Sequence, residues 1–217
     1  MCSTLQIRLA KDEDQEDINS SFLQHFLQTE PMNVYLKDYK PATPSDFEHA
    51  PDFGLTLVAE VIESEDQCKL AGFLICKVCE RGTASESNTS FILEEDRAGF
   101  EISRLLKELN DEFDVFRMYD VQEAVDLVIL GTVPEYRGRS IGFKLCEAAI
   151  DLVRVRGYKV IFMDCTSSYS AAIAQKCGME CIGEISYDDY QKKLGERLFV
   201  VNSVHTHVRR FVKILNQ

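Results

Sequence analysis

Six consecutive residues, Arg137-Gly138-Arg139-Ser140-Ile141-Gly142, hold two guanidinium groups, a hydroxyl and two glycines. Such a run suits the capture of a phosphate. Glycines let the backbone approach a ligand closely, free N–H groups point outward, and a helix starting there adds a dipole that favours anions. The spelling is not the phosphate-loop GxxxxGK[ST], because no Gly-Lys-Ser/Thr closes it. Nor is it the dinucleotide GxGxxG, since Arg139 and Ser140 stand where its glycines would fall. A plain tight turn between a buried strand and an amphipathic helix accounts for the same residues equally well.

The flanking elements are clear. The apolar run from Val125 to Val133, interrupted by Asp126 and Gly131-Thr132, predicts a strand. Pro134-Glu135-Tyr136 is a turn, and Ile141, Leu145, Ala148, Ala149, Leu152 and Val153 then line one face of a helix. Earlier in the chain, Leu5, Ile7 and Leu9 alternate as a first strand. Acids between Lys11 and Asp17 favour the first turn of a helix that Ile18, Phe22, Phe26 and Leu27 continue. That helix stops at Thr29-Glu30-Pro31, because the residue before proline is pushed out of helical geometry. A short helix follows from Met32, then a loop from Lys40 to Phe53.

Leu55–Ile62 and Leu70–Val78 predict a hairpin, Arg81–Ser90 a loop and Phe100–Phe113 a helix, with Val115–Val121 leading into the central strand. Lys159–Met163 is a short buried strand. The polar run Cys165-Thr166-Ser167-Ser168-Tyr169-Ser170 precedes a helix over Ala171–Lys176 that ends at Gly178. Met179–Tyr187 is expected as a strand, Asp188–Glu196 as a charged loop, and Leu198–Leu215 as strand-rich with His205 and His207. The expected class is α/β: one domain over residues 1–217 with a single mixed, mostly antiparallel sheet flanked by helices.

The formal net charge of −12 argues against nucleic acid as a partner and favours cationic small molecules. Arg137, Arg139 and Lys144 are the local exception that an anionic cofactor would need. No apolar run approaches the roughly 20 residues of a membrane span. The acidic N-terminal segment lacks the apolar stretch of a signal peptide, so a cytoplasmic location is expected. The eight cysteines lack zinc-site spacing and are expected to be reduced thiols, mostly buried, with no metal. No coiled-coil heptad or other signal reveals an oligomeric state.

Taken together, the Arg137–Gly142 loop, the Glu30-Pro31-Met32-Asn33 segment, the Thr166–Ser170 loop and His205 resemble the GCN5-related N-acetyltransferases, and within them the insect-type arylalkylamine N-acetyltransferases. The likeness runs nearly the full length and is strongest from Val115 to Gly178. Ser140 departs from the family's usual glycine, and Val204 stands where related chains often have proline. The resemblance implies a sheet whose fourth and fifth strands splay apart around acetyl-CoA. Pantetheine would pair with the backbone of Gly131, Thr132 and Val133, and the pyrophosphate would rest on N–H groups from Arg137 to Gly142, including those of Gly138, Arg139, Ser140 and Ile141.

It also implies the chemistry. Acetyl transfer to a primary amine needs the neutral amine, and a lysine-like amine of pKa about 10.4 costs about 4.6 kcal/mol to deprotonate at pH 7. Glu30, fixed by Pro31, is the expected base, provided that burial lifts its pKa. Tyr169 or Ser170 is expected to protonate or hydrogen-bond the departing thiolate, with Thr166 and Ser170 near the thioester, although serine there also caps helices. Pro31 and His205 are expected beside the acceptor.

The acceptor is expected to be an arylalkylamine, such as tyramine, dopamine or serotonin. Met32, Tyr35, Tyr39 and Phe47 would then line its pocket. A polyamine or agmatine is the alternative, through Asp38, Asp46, Glu48 and Asp52. Acetylation of protein amines and CoA binding without catalysis stand behind these two.

Overall fold

Alternation of side chains makes Thr4–Leu9 the first strand (β1), and the computed structural model places it at one edge of a seven-stranded sheet. The structure describes residues 4–35, 53–64, 67–82, 97–201 and 204–215. After β1 come α1 (Gln15–Ser21), a π-helical turn at Phe22–Phe26 and α2 (Pro31–Tyr35). The hairpin β2 (Leu57–Ser64) and β3 (Gln67–Glu80) follows, then α3 (Arg97–Glu112) and α4 (Val115–Tyr119). β4 (Glu123–Thr132) leads into α5 (Ile141–Val155), and β5 (Val160–Cys165) into α6 (Ser168–Lys176). β6 (Glu180–Ser186), α7 (Tyr187–Leu194) and β7 (His207–Ile214) complete the chain order.

The strand order is β1-β2-β3-β4-β5-β7-β6, and among the described residues only β4 and β5 run parallel. This is the mixed, mostly antiparallel sheet expected from the sequence. On one face α5 buries Ile141, Leu145, Ala149 and Val153 against Leu74, Val125, Leu127, Ile161 and Met163. Complete burial of such side chains stabilises the fold by about 1.5–3 kcal/mol each. On the other face α1 and the π turn place Ile18 and Phe22 over Val58, Phe73 and Ile129. Beside them α3 and α7 bring Leu105, Leu109 and Tyr190 together with Tyr187 and Val208.

The feature that matters most for function is a fork. Between β4 and β5 only Val125↔Ile161 and Asp126↔Phe162 are in register. Across β3, Ile75 pairs with Ile129 but Cys76 with Leu127, so Val128 is an extra residue in β4. Such a bulge bends and twists its strand, and from that point to Thr132 β4 runs on without β5. The expected splay is present.

Four segments differ from expectation. Asp188–Glu196 is not a charged loop: Tyr187–Leu194 is helical, with the Ser186 side chain accepting from the N–H of Asp189 and Gly195 closing the helix at φ 71°. Its acids lie in the first turn and its lysines in the last, as the helix dipole favours. Within Leu198–Leu215 the strand occupies only His207–Ile214, so His205 precedes it and His207 heads it. The helix expected from Ala171 begins at Ser168, and Val115–Val121 contains the short helix α4. The seven described cysteines are free thiols, four of them buried. No helix among the described residues is long and apolar enough to cross a membrane. The loop from Lys40 to Asp52, most of Arg81–Ser90, and Asp38, Tyr39, Asp46, Phe47, Glu48 and Asp52 lie outside the described residues.

Candidate active site

The fork opens between the turn that follows β4 and the polar loop that follows β5. On the β4 side, Pro134–Tyr136 forms a 3-10 turn in which the Arg137 N–H donates to the Pro134 carbonyl at 3.2 Å. The Val133 N–H donates to Ala71 at 3.0 Å. These two donors are therefore spent within the protein. The N–H groups from Gly138 to Gly142 make no backbone hydrogen bond among the described residues, as expected where a helix begins.

Gly138 has φ 79° with open space around it, and Ser140 has φ 59°, the left-handed region that glycine tolerates best. A serine at this position keeps its donor but bears backbone strain. Gly142 serves packing instead. A Cβ there would lie 3.0 Å from Ile173 and 3.3 Å from Leu130, so glycine lets α5 seat against β4 and α6. Gly131 is tighter still, at 2.4 Å from the Phe73 ring. Arg137 Nε reaches the Thr132 carbonyl at 3.5 Å, and the Arg139 guanidinium lies 5.3 Å from the centre of the Tyr136 ring.

The π turn, which packs over β4, ends with the Leu27 N–H on Phe22 O at 3.0 Å and the Glu30 N–H on Phe26 O at 2.9 Å. Glu30 then starts α2. Its carbonyl accepts from Asn33 and Val34, and its Oε2 accepts from the Asn33 N–H at 2.8 Å. Its Oε1 is buried without a hydrogen-bond partner among the described residues. Burial pushes the Glu30 carboxyl pKa up, opposed first by the Thr166 side chain and then by the N–H groups of Asn33 and Met32. Thr166 therefore stands beside Glu30, at the tip of β5. The Tyr187 hydroxyl donates to the Thr166 carbonyl at 2.8 Å. Burial and then the Glu30 charge push the phenol pKa far up, so it remains a proton donor.

The Thr166–Ser170 loop divides its hydroxyls by task. Ser167, not Ser170, caps α6: its Oγ accepts from the Ser170 N–H at 3.0 Å. Ser170 Oγ donates to the Ser167 carbonyl at 3.0 Å and lies 2.9 Å from Ser167 Oγ. The Ser168 N–H donates to His205 Nδ1 at 3.0 Å, and Ser168 Oγ donates to the Val204 carbonyl at 2.7 Å. With Nδ1 accepting, the proton of the neutral imidazole belongs on Nε2. Burial lowers the His205 pKa and favours that neutral form. Tyr169 meets the His205 ring edge-on at 4.9 Å and is 70% exposed. Pro31 and Met32 are buried behind Glu30.

Thr166, Ser168, Tyr169, Ser170 and His205 are thus gathered at one end of β5, with Glu30 against Thr166. Sequence reasoning did not find Tyr187, which holds Thr166 in place, or the backbone of Asn33, which occupies one oxygen of Glu30. The first was hidden by treating the segment after it as a loop. The second signal was available, because Glu30-Pro31 followed by Asn33 has the order of a helix start with proline at N1.

A splayed β4–β5 pair, a free-amide turn at the start of α5 and a hydroxyl-rich loop after β5 are the features that the resemblance to the N-acetyltransferases implies. The family model for the acetyltransferase (GNAT) family matches residues 20–179. The chain belongs to the acetyltransferase (GNAT) family. Among solved structures it is similar to mosquito arylalkylamine N-acetyltransferase-like 5b at 28% identity and TM-score 0.81, covering 98% of this chain and 100% of that one. Arylalkylamine N-acetyltransferase 2 from Aedes aegypti is 24% identical with TM-score 0.81 over 98% and 100%. The polyamine N-acetyltransferase of Drosophila melanogaster, which forms N-acetylagmatine, is 24% identical with TM-score 0.76 over the same shares.

Proposed function

We propose that this protein transfers the acetyl group of acetyl-CoA to the primary amine of a small arylalkylamine. The observation that carries the reading is Glu30: a buried carboxyl with one oxygen held by Asn33 and the other unpartnered, set against the loop at the mouth of the fork. The residues present fit acetyl-CoA. The turn offers uncommitted N–H groups from Gly138 to Gly142, beside exposed Arg137 and Arg139. Beyond Asp126, β4 has no partner on its β5 side, which leaves Gly131 and Thr132 to line the pantetheine arm, with the Val133 carbonyl beyond them.

Acetyl-CoA supplies the activated acetyl thioester. Glu30 Oε1 takes the proton lost by the amine as the new C–N bond forms, directly or through one water. Its raised pKa brings it nearer the operating pH, where a general base is most effective. The C–S bond breaks and the thiolate leaves readily, because a thiol of pKa about 8.5 is a good leaving group. Ser170 Oγ and Tyr169 are the hydroxyls we assign to protonating it, the first by turning away from the Ser167 carbonyl, with Thr166 beside the carboxylate. His205 and Pro31 border the acceptor, and exposed Tyr169 offers a ring face to an aromatic amine.

A second reading, a polyamine or agmatine as acceptor, is favoured by the net charge of −12, which attracts cations of higher valence. Steady-state assays with acetyl-CoA against tyramine, dopamine, serotonin, agmatine and spermine separate the two. Higher kcat/KM for the aromatic amines supports the first, and preference for agmatine or spermine overturns it. Turnover unchanged in Glu30→Gln at neutral pH would remove Glu30 as the base.

A further inference from the structure

A second set of titratable groups is buried at the closed end of the fork. The last register pair between β4 and β5 is Asp126↔Phe162, and Asp126 is 2% exposed. Two residues further along β5, Asp164 pairs across to Arg210 on β7. Arg210 donates from Nε and Nη2 to the two oxygens of Asp164, each at 2.7 Å. Its Nη1 donates to Asn110 Oδ1 at 2.8 Å and to the Phe113 carbonyl at 3.0 Å. Every guanidinium nitrogen is engaged, and none serves Asp126. Asp126 Oδ2 is buried with no hydrogen-bond partner among the described residues.

The other groups turned toward this cluster are Lys77, the exposed cross-strand partner of Asp126 on β3, the Cys79 thiol on the same strand, and Asp114 at the start of α4, which acts on Arg210. Two buried carboxyls therefore lie near one buried guanidinium, which hydrogen-bonds only Asp164 of the two. With both ionised, a negative charge would stand unpaired in the interior, a costly arrangement. Burial first, and Asp164 second, push the Asp126 pKa to about 8.

We propose that Asp126 is a positioning residue for the cofactor cleft. As a neutral acid at the junction of β4 and β5 it keeps the closed end of the fork narrow, and loss of its proton loosens the register on which the cleft depends. This rests on reading the fork as the acetyl-CoA site. Only two register pairs hold the junction, so an uncompensated charge at one of them acts on half of the pairing. Linkage then requires acetyl-CoA to bind the protonated form more tightly, and to raise the pKa of the acid in return.

The test is calorimetric titration of the intact protein with acetyl-CoA, without amine, from about pH 7 to about pH 9, which spans the acid's titration. Wild-type affinity should fall by roughly threefold to tenfold, since one unit of coupled pKa shift is tenfold in affinity. Asp126→Asn, which carries the neutral form permanently, should give a flat profile. In turnover, the KM for acetyl-CoA should carry the same dependence while kcat at saturating acetyl-CoA does not. A flat wild-type profile overturns the proposal without requiring any variant, as does a wild-type slope retained in Asp126→Asn. Absence of binding to either protein at every pH overturns both this proposal and the cleft reading beneath it.

Discussion

Glu30 and Asp126 are both buried carboxyls, both pushed up in pKa first by desolvation, and each has an oxygen without a hydrogen-bond partner among the described residues. They sit at opposite ends of the same fork. At the open end Glu30 has two N–H groups and the Thr166 side chain to stabilise its charge, so an ionised state is within reach, as the proposed base requires. At the closed end Asp126 faces a second carboxylate and a guanidinium already fully engaged, so its proton is held. Burial alone does not make a general base. What separates the two is the supply of donors to the anion and access to the cleft.

The largest expected effect breaks the open end. Glu30→Gln keeps an acceptor for the Asn33 N–H but cannot take a proton, so kcat/KM at pH 7 should fall by about 10²–10⁴-fold, the usual contribution of a positioned base. In the wild type, kcat/KM should also fall as pH drops through the raised Glu30 pKa, and that acidic limb should vanish in the variant. Steady-state kinetics across pH checks both.

The next breaks the closed end. Asp164→Ala leaves Arg210 buried, 3% exposed at its side chain, without its bidentate partner, which should cost about 3–5 kcal/mol in denaturant unfolding. A loss under about 1 kcal/mol, the range of an exposed pair, would show that solvent reaches the cluster.

Asp126→Asn sharpens the contrast in stability. The folded pKa of Asp126, about 8, lies above its unfolded value of 3.8. The native state therefore binds the extra proton between these values. Its stabilising contribution is complete below the unfolded pKa and is lost as pH rises through the folded one. Melting temperature against pH should decline across this window in the wild type beyond what Asp126→Asn shows, with the gap between them widening toward pH 8.

The smallest effect lies outside both acids. Ser140→Gly relieves a φ of 59° and should add roughly 0.5–1 kcal/mol, read as a rise in denaturant midpoint, with acetyl-CoA affinity unchanged. An affinity change instead would give the hydroxyl itself a role in the turn.

The donor half of the molecule was largely legible in the sequence. From Val125 to Val155 a bulged apolar strand, a Pro-containing turn and a helix of clean 3.6-residue period follow one another, and each element is determined by its own residues. The acceptor half was not. Tyr187–Leu194 was hidden by its charges, although Ser186 before it, Asp189 in its first turn and Gly195 after it mark a helix by their chemistry. Glu30 stood out only through resemblance, because its neighbour Thr166 comes from a distant strand tip. Asp126, Asp164 and Arg210 come from three strands and meet only when the sheet assembles. Asp126 lies inside an apolar run and Asp164 at the end of one, and that local inconsistency was the signal available for these two.

The π turn at Phe22–Phe26 has a consequence for how this chain tolerates insertions and deletions. By closing the Leu27 N–H onto Phe22 O, the helix absorbs one residue more than an α-helical turn holds, which shifts the phase of everything after it by about 100°. Glu30, beside Thr166, is among the residues that follow this offset. Removing a single residue, such as exposed Gln24, would restore ordinary helical phase and turn the carboxyl away from the cleft while leaving the sheet intact. In this segment the length of the chain, as much as its chemistry, specifies where Glu30 stands.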